Sequence, residues 1–219
     1  AGRHGFSNGT GADALFDWPR GMALDPQGSF IVAEHANQRL RRVTRTGIVT
    51  SVDGSGKGYV DGPAATARFN EPFDVAVAHD STIYVSDTGN YLIRVICPFT
   101  NTVTTLAGSG AHESTDGVGA AAAFRWPRAL FLDEAARSLF VAESGAVRVI
   151  TVDSSDERRA ARRVPLMLVR KRIQAETTPA MPEPLPGGVQ EPLVREALRF
   201  MFVRCPARCF SLMVRFLVA

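Results

Sequence analysis

Three aspartates, Asp61, Asp87 and Asp116, four histidines and three cysteines are the side chains of this 219-residue chain to weigh as general bases, metal ligands or nucleophiles. His4, His35, His79 and His112 occur singly among turn and loop residues, without a His-x-x-x-His or Cys-His spacing, so no zinc-type ligand set is present. Cys97, Cys205 and Cys209 also follow no metal-ligand pattern. Cys205 and Cys209 flank Pro206, and a bridge between them is open but not imposed by the spacing. The aspartates recur at equivalent places in successive repeats, as turn residues do, whereas an active site needs unlike groups converging on one point. Two Gly-Ser-Gly segments lack the Lys-Ser/Thr that completes a phosphate-binding loop. Catalytic, cofactor-binding and metal-binding residues are therefore expected to be none.

Arginine offers a different chemistry. In the run Arg39-Leu40-Arg41-Arg42-Val43-Thr44-Arg45, a strand would turn Arg39 and Arg41 to one face and Arg42 to the other, which splits the charge. Arg41 shares its repeat position with Arg94 and Arg148, which marks it as structural, paired with an acidic turn residue. Arg39 and Arg45, together with His35 at the position held by Thr88 in the next repeat, make up the expected interaction surface. Nucleic acid is the weaker expectation for its partner. Through Val152 there are 13 Lys and Arg against 15 Asp and Glu, and from Asp153 onward 12 against 7, so the net charge of +3 comes from the tail.

These residues are positioned by a repeated unit. Segments beginning at Phe16, Phe69 and Phe124 lie 53 and 55 residues apart. Each has Phe, Pro three residues later, an alternating apolar segment, a turn, a Phe/Tyr-Val-Ala/Ser-Asp/Glu strand, and a further strand carrying Arg. The linkers repeat as well: Asn8, Asp61 and Asp116 align, each followed by glycine at Gly9, Gly62 and Gly117. Runs rich in Val, Ile, Tyr and Thr, bounded by Gly, Asn and Asp, lack helical spacing and predict antiparallel strands. In the middle copy these are expected at 73–78, 82–87, 91–97 and 102–107, four short strands per repeat, as in a propeller blade.

The stretch Val-Ser-Asp87-Thr-Gly89-Asn90-Tyr-Leu-Ile-Arg94-Val-Ile combines turn chemistry with core. Gly89 and Asn90 are expected to supply positive φ in the hairpin, and Asp87 to accept hydrogen bonds from nearby amides. The strand after it is apolar on both faces, as a strand covered on both sides by neighbouring blades would be.

At these residues the chain resembles the NHL-repeat family of β-propellers, through FNEPFDVAV, IYVSDTGNYLIRVI, TVTTLAGSG and DGVGAAAAF, in the family's order, over about Gly5 to Ile150. In the first copy Glu34 stands for the usual Asp, His35 and Ala36 for Thr-Gly, and Asn37 is kept; the third copy, VAESGAVRVI, lacks the Asn and two turn residues. The resemblance implies an all-β fold, a partial β-propeller of four-stranded antiparallel blades spanning 1–152. It also implies a scaffold that binds a protein or other macromolecule without catalysis or cofactor. Closed members carry about six blades, so the chain is expected to be a piece of a ring or to be completed by further blades. A fragment of a lyase or lactonase-type propeller enzyme, and a truncated non-functional product, are the other readings.

From 153 to 219 the repeat stops. This basic, Pro-rich extension is expected to be irregular or partly helical, with 164–169 as a substitute fourth strand for the third copy. Its longest apolar piece, 209–214, is far shorter than the ~20 residues of a membrane span.

Overall fold

The computed structural model describes residues 3–152 and the backbone of 168–173; the expected linker, helix and remaining tail of the extension lie outside the described residues. Three antiparallel five-stranded sheets follow one another along the chain. The first comprises β1 (Gly9–Thr10), β2 (Pro19–Leu24), β3 (Phe30–Glu34), β4 (Arg39–Val43) and β5 (Ile48–Asp53), in the order β1-β5-β4-β3-β2. The second repeats that order with β6 (Gly62–Pro63), β7 (Pro72–Val77), β8 (Ile83–Asp87), β9 (Leu92–Cys97) and β10 (Thr102–Ala107). The third uses β11 (Gly117–Val118), β12 (Leu130–Asp133), β13 (Ser138–Glu143), β14 (Ala146–Thr151) and β15 (Leu168–Ile173).

Each sheet is a propeller blade. Four strands come from one repeat, and the fifth is two residues of the preceding linker, paired antiparallel to the blade's last long strand. In the third blade that last strand is β15, drawn from within the extension and shifted a few residues from the expected 164–169. Consecutive blades approach through β2 and β7, and through β7 and β12, which makes these the innermost strands.

Burial lies between the blades. Ile31, Ala33 and Leu40 of the first blade pack with Val75, Ile83, Val85 and Ile96 of the second. Tyr84, Ile93 and Leu106 pack with Leu139, Val141 and Ile150 of the third. The middle blade is thus covered on both faces, which is why β9 is apolar at successive positions and buried along all but its last residue.

The hairpin after β8 differs from the sequence expectation. Neither Gly89 nor Asn90 has positive φ; the left-handed residue is Tyr91 (φ 58), at the place of Gln38 (φ 59) and Gly145 (φ 87). A short 3-10 turn over Thr88–Asn90 moves the left-handed position to its end. Gly89 is required for space instead: a Cβ there would lie 2.6 Å from Asn70 Cγ and 2.8 Å from the Asn70 carbonyl oxygen. Gly89→Ala is expected to lower stability by about 1–3 kcal/mol through overpacking, read as a lower urea midpoint; an unchanged midpoint would show that the Asn70 backbone yields.

Candidate functional site

Each blade holds one arginine completely out of solvent: Arg41, Arg94 and Arg148. A buried guanidinium persists only when paired and hydrogen-bonded, and all three are. Arg94 donates to Asp87 (Nη1–Oδ2 2.8 Å), to the Arg68 and Val60 carbonyls, and to Asp61. Arg41 donates to Glu34 (3.0 Å), to the Leu15 and Ser7 carbonyls, and to Asn8 Oδ1. Arg148 meets Glu143, the Ala123 and Thr115 carbonyls, and Asp116 at 2.7 Å. The repeat's first phenylalanine lies under each guanidinium, with Arg41 4.9 Å from the Phe16 centroid, Arg94 5.3 Å from Phe69 and Arg148 5.3 Å from Phe124.

This clamp ties the linker to its blade, and it accounts for where Asp61, Asp87 and Asp116 go. Asp87 is fully buried and also accepts from the Asn70 amide (2.7 Å) and Asn90 Nδ2 (2.8 Å). Burial pushes its carboxyl above the ordinary carboxylate range, against the opposing pull of Arg94. Asp61 and Asp116 are exposed at the mouths of their clamps, followed by Gly62 and Gly117 in the linker strands β6 and β11. The shorter third hairpin lacks the Asn, and Ser114 of the preceding linker donates to Glu143 Oε1 instead.

Arg39, Arg45 and His35 are not brought together. Arg39 is half-buried over the Phe6 ring at 3.9 Å, while exposed Arg45 lies beyond the other end of β4, its Nε donating to the Gly28 carbonyl. Their six-residue separation along an extended segment is roughly 20 Å. Between them Arg41 is inside its clamp and Arg42 pairs with buried Asp25.

His35 belongs to another group, which sequence reasoning missed. Its ring stacks on Trp18 (centroids 6.0 Å, 15° between planes) and meets Phe73 edge-on at 6.4 Å. The Arg20 guanidinium lies 5.2 Å from the Trp18 centroid and 5.4 Å from that of Phe73; Arg128 lies 5.8 Å from the same Phe73 ring. Burial holds the His35 pKa below its ordinary value, opposed by the Glu71 carboxylate and reinforced by Arg20. Its Nδ1 is buried without a hydrogen-bond partner among the described residues.

Trp18-Pro19-Arg20, Glu71-Pro72-Phe73 and Trp126-Pro127-Arg128 are the same repeat position in three blades. Each residue before the proline is left-handed (Trp18 φ 49, Glu71 φ 53, Trp126 φ 52), and the registers shift just after Pro19 and Pro72. Left-handed backbone followed by a bulge re-aims the next side chains. Arg20 and Arg128, both exposed, therefore converge on half-buried Phe73 beside Trp18, which is 55% exposed. The one signal in the sequence is the repeated aromatic-or-acidic residue, proline, Arg or Phe triplet. Among the described residues no group of three or more His, Cys, Asp or Glu is placed to hold a metal ion, and no helix is long and apolar enough to cross a membrane.

No protein-family model matches the chain. Over 95 residues, 42% of its length, it is 35% identical to NHL repeat-containing protein 2 of Gallus gallus, of which it covers 13%. Over 154 residues, 64% of its length, it is 29% identical to NHL repeat-containing protein 2 of Homo sapiens, of which it covers 21%. It thus spans about a fifth or less of these relatives. Among solved structures, a protein of unknown function from Bacteroides thetaiotaomicron matches with TM-score 0.51 at 23% identity, over 53% of this chain and 30% of that one.

Proposed function

We propose that this array of NHL-type β-propeller blades is a binding scaffold whose innermost-strand rim takes a protein partner. One observation carries this reading: three consecutive blades deliver Trp18, Arg20, Phe73 and Arg128 to one place, with Trp18 and both arginines exposed. Exposed aromatic and arginine side chains are the residue types that dominate protein-binding hot spots. His35 contributes as part of the platform under Trp18; Arg39 and Arg45 lie off it.

The test places a photo-crosslinking amino acid at Trp18 in the full chain and, as control, at Phe99. Phe99 is 80% exposed and sits in the turn between β9 and β10, away from the rim. Discrete protein adducts from position 18, absent from position 99, are expected. Equal adducts from both positions, or none from position 18, would reject the rim as the binding surface.

A further inference from the structure

We propose that the rim recognises an acidic peptide segment, its carboxylates held by Arg20 and Arg128 and an adjoining apolar side chain laid against Trp18 and Phe73; this rests on the binding-scaffold reading and adds the chemistry of the partner. Both guanidinium groups approach one phenyl ring, at 5.4 Å and 5.8 Å from its centroid. Neither is ion-paired or hydrogen-bonded through its side chain to another described residue, in contrast to Arg41, Arg94 and Arg148, whose Nη groups are paired with carboxylates and carbonyls inside their blades. The aromatic surface holds the two planar forks near one another without using their N–H groups. Guanidinium forks so presented match carboxylates in two-pronged hydrogen bonds.

The nearest carboxylates do not fill this role. Asp74, next to Phe73 in the bulge, has its two oxygens engaged by backbone, accepting from the Val75 amide (2.9 Å) and the Leu130 amide (3.0 Å). The Glu71 carboxylate acts on His35. A peptide is favoured over a polynucleotide on charge: 13 basic against 15 acidic side chains through Val152 leave no extended positive field, and a phosphate backbone requires one. Two local cations beside an exposed indole fit one or two carboxylates next to an apolar residue.

The experiment measures fluorescence anisotropy of the full chain with a labelled peptide about ten residues long in which Glu alternates with Leu and Phe. Its comparators are the same peptide with Lys for Glu and a single-stranded oligonucleotide of equal charge. The Glu peptide alone is expected to bind, about tenfold more weakly to Arg20→Ala or to Arg128→Ala, and unchanged to Arg45→Ala. Far-UV circular dichroism checks that the variants keep their sheet content, as exposed positions should. Binding of the Glu peptide that ignores both rim substitutions, or oligonucleotide binding that exceeds it, overturns the acidic-peptide assignment. If position 18 still crosslinks a protein in that event, the scaffold reading stands and only the partner chemistry has failed; loss of both removes the rim altogether.

Discussion

Arg94→Ala is expected to lower stability by about 3–5 kcal/mol, enough to unfold the middle blade at room temperature. The substitution removes the cationic partner of Asp87, a carboxylate with no solvent exposure, and takes one of two donors from each of the Arg68 and Val60 carbonyls, which keep only each other's amides. It also opens a space over Phe69, which is itself fully buried. Removing Asp61 should cost far less, on the order of 1 kcal/mol, because that carboxylate lies at the exposed mouth of the clamp. Urea unfolding followed by tryptophan fluorescence and circular dichroism would read both. Equal losses for Arg94→Ala and Asp61→Ala would show that the ion pair with Asp87 contributes little, and that the clamp acts through its linker contact alone.

Asp53→Ala is expected to act in the other direction. Asp53 ends β5 at the position of Ala107 in the next blade, is 2% exposed, and has neither carboxylate oxygen hydrogen-bonded among the described residues. Burial alone raises its pKa from 3.8 to about 6. Between those values the folded chain holds a proton that the unfolded chain has released, so stability falls as pH rises through this window and levels off above it. Two pKa units correspond to about 3 kcal/mol. Asp53→Ala should therefore stabilise the chain by up to about that amount at pH 7 and by much less near pH 4. Denaturation midpoints of both proteins across this pH range decide it. A difference that does not change with pH would mean that Asp53 is ionised in the fold, satisfied by a group it meets outside the described residues.

Much of the architecture is local, and for that reason it is legible in the sequence. Strand positions in the middle blade follow from period-two alternation bounded by turn residues, and agree with the observed strands to a residue at each end. The near-equal spacing of Arg41, Arg94 and Arg148, 53 and 54 residues, marks them as repeat residues before any contact is known. What lies beyond local pattern was decided by closure of each hairpin and by packing of one blade on the next. Gly89 looks like the left-handed residue of its turn, yet the chain reverses through a 3-10 turn that passes this conformation to Tyr91 and leaves Gly89 pressed on Asn70. Two linker residues become a fifth strand because the arginine clamp holds the linker against the blade edge. Arg39 and Arg45 look like neighbours in the sequence, but an extended strand carries them apart. Arg20, Phe73 and Arg128, separated in turn by 53 and 55 residues, meet because inter-blade burial sets the innermost strands side by side. Each repeat encodes its own blade; the lateral packing of the apolar faces, which no single repeat encodes, decides which side chains share the rim.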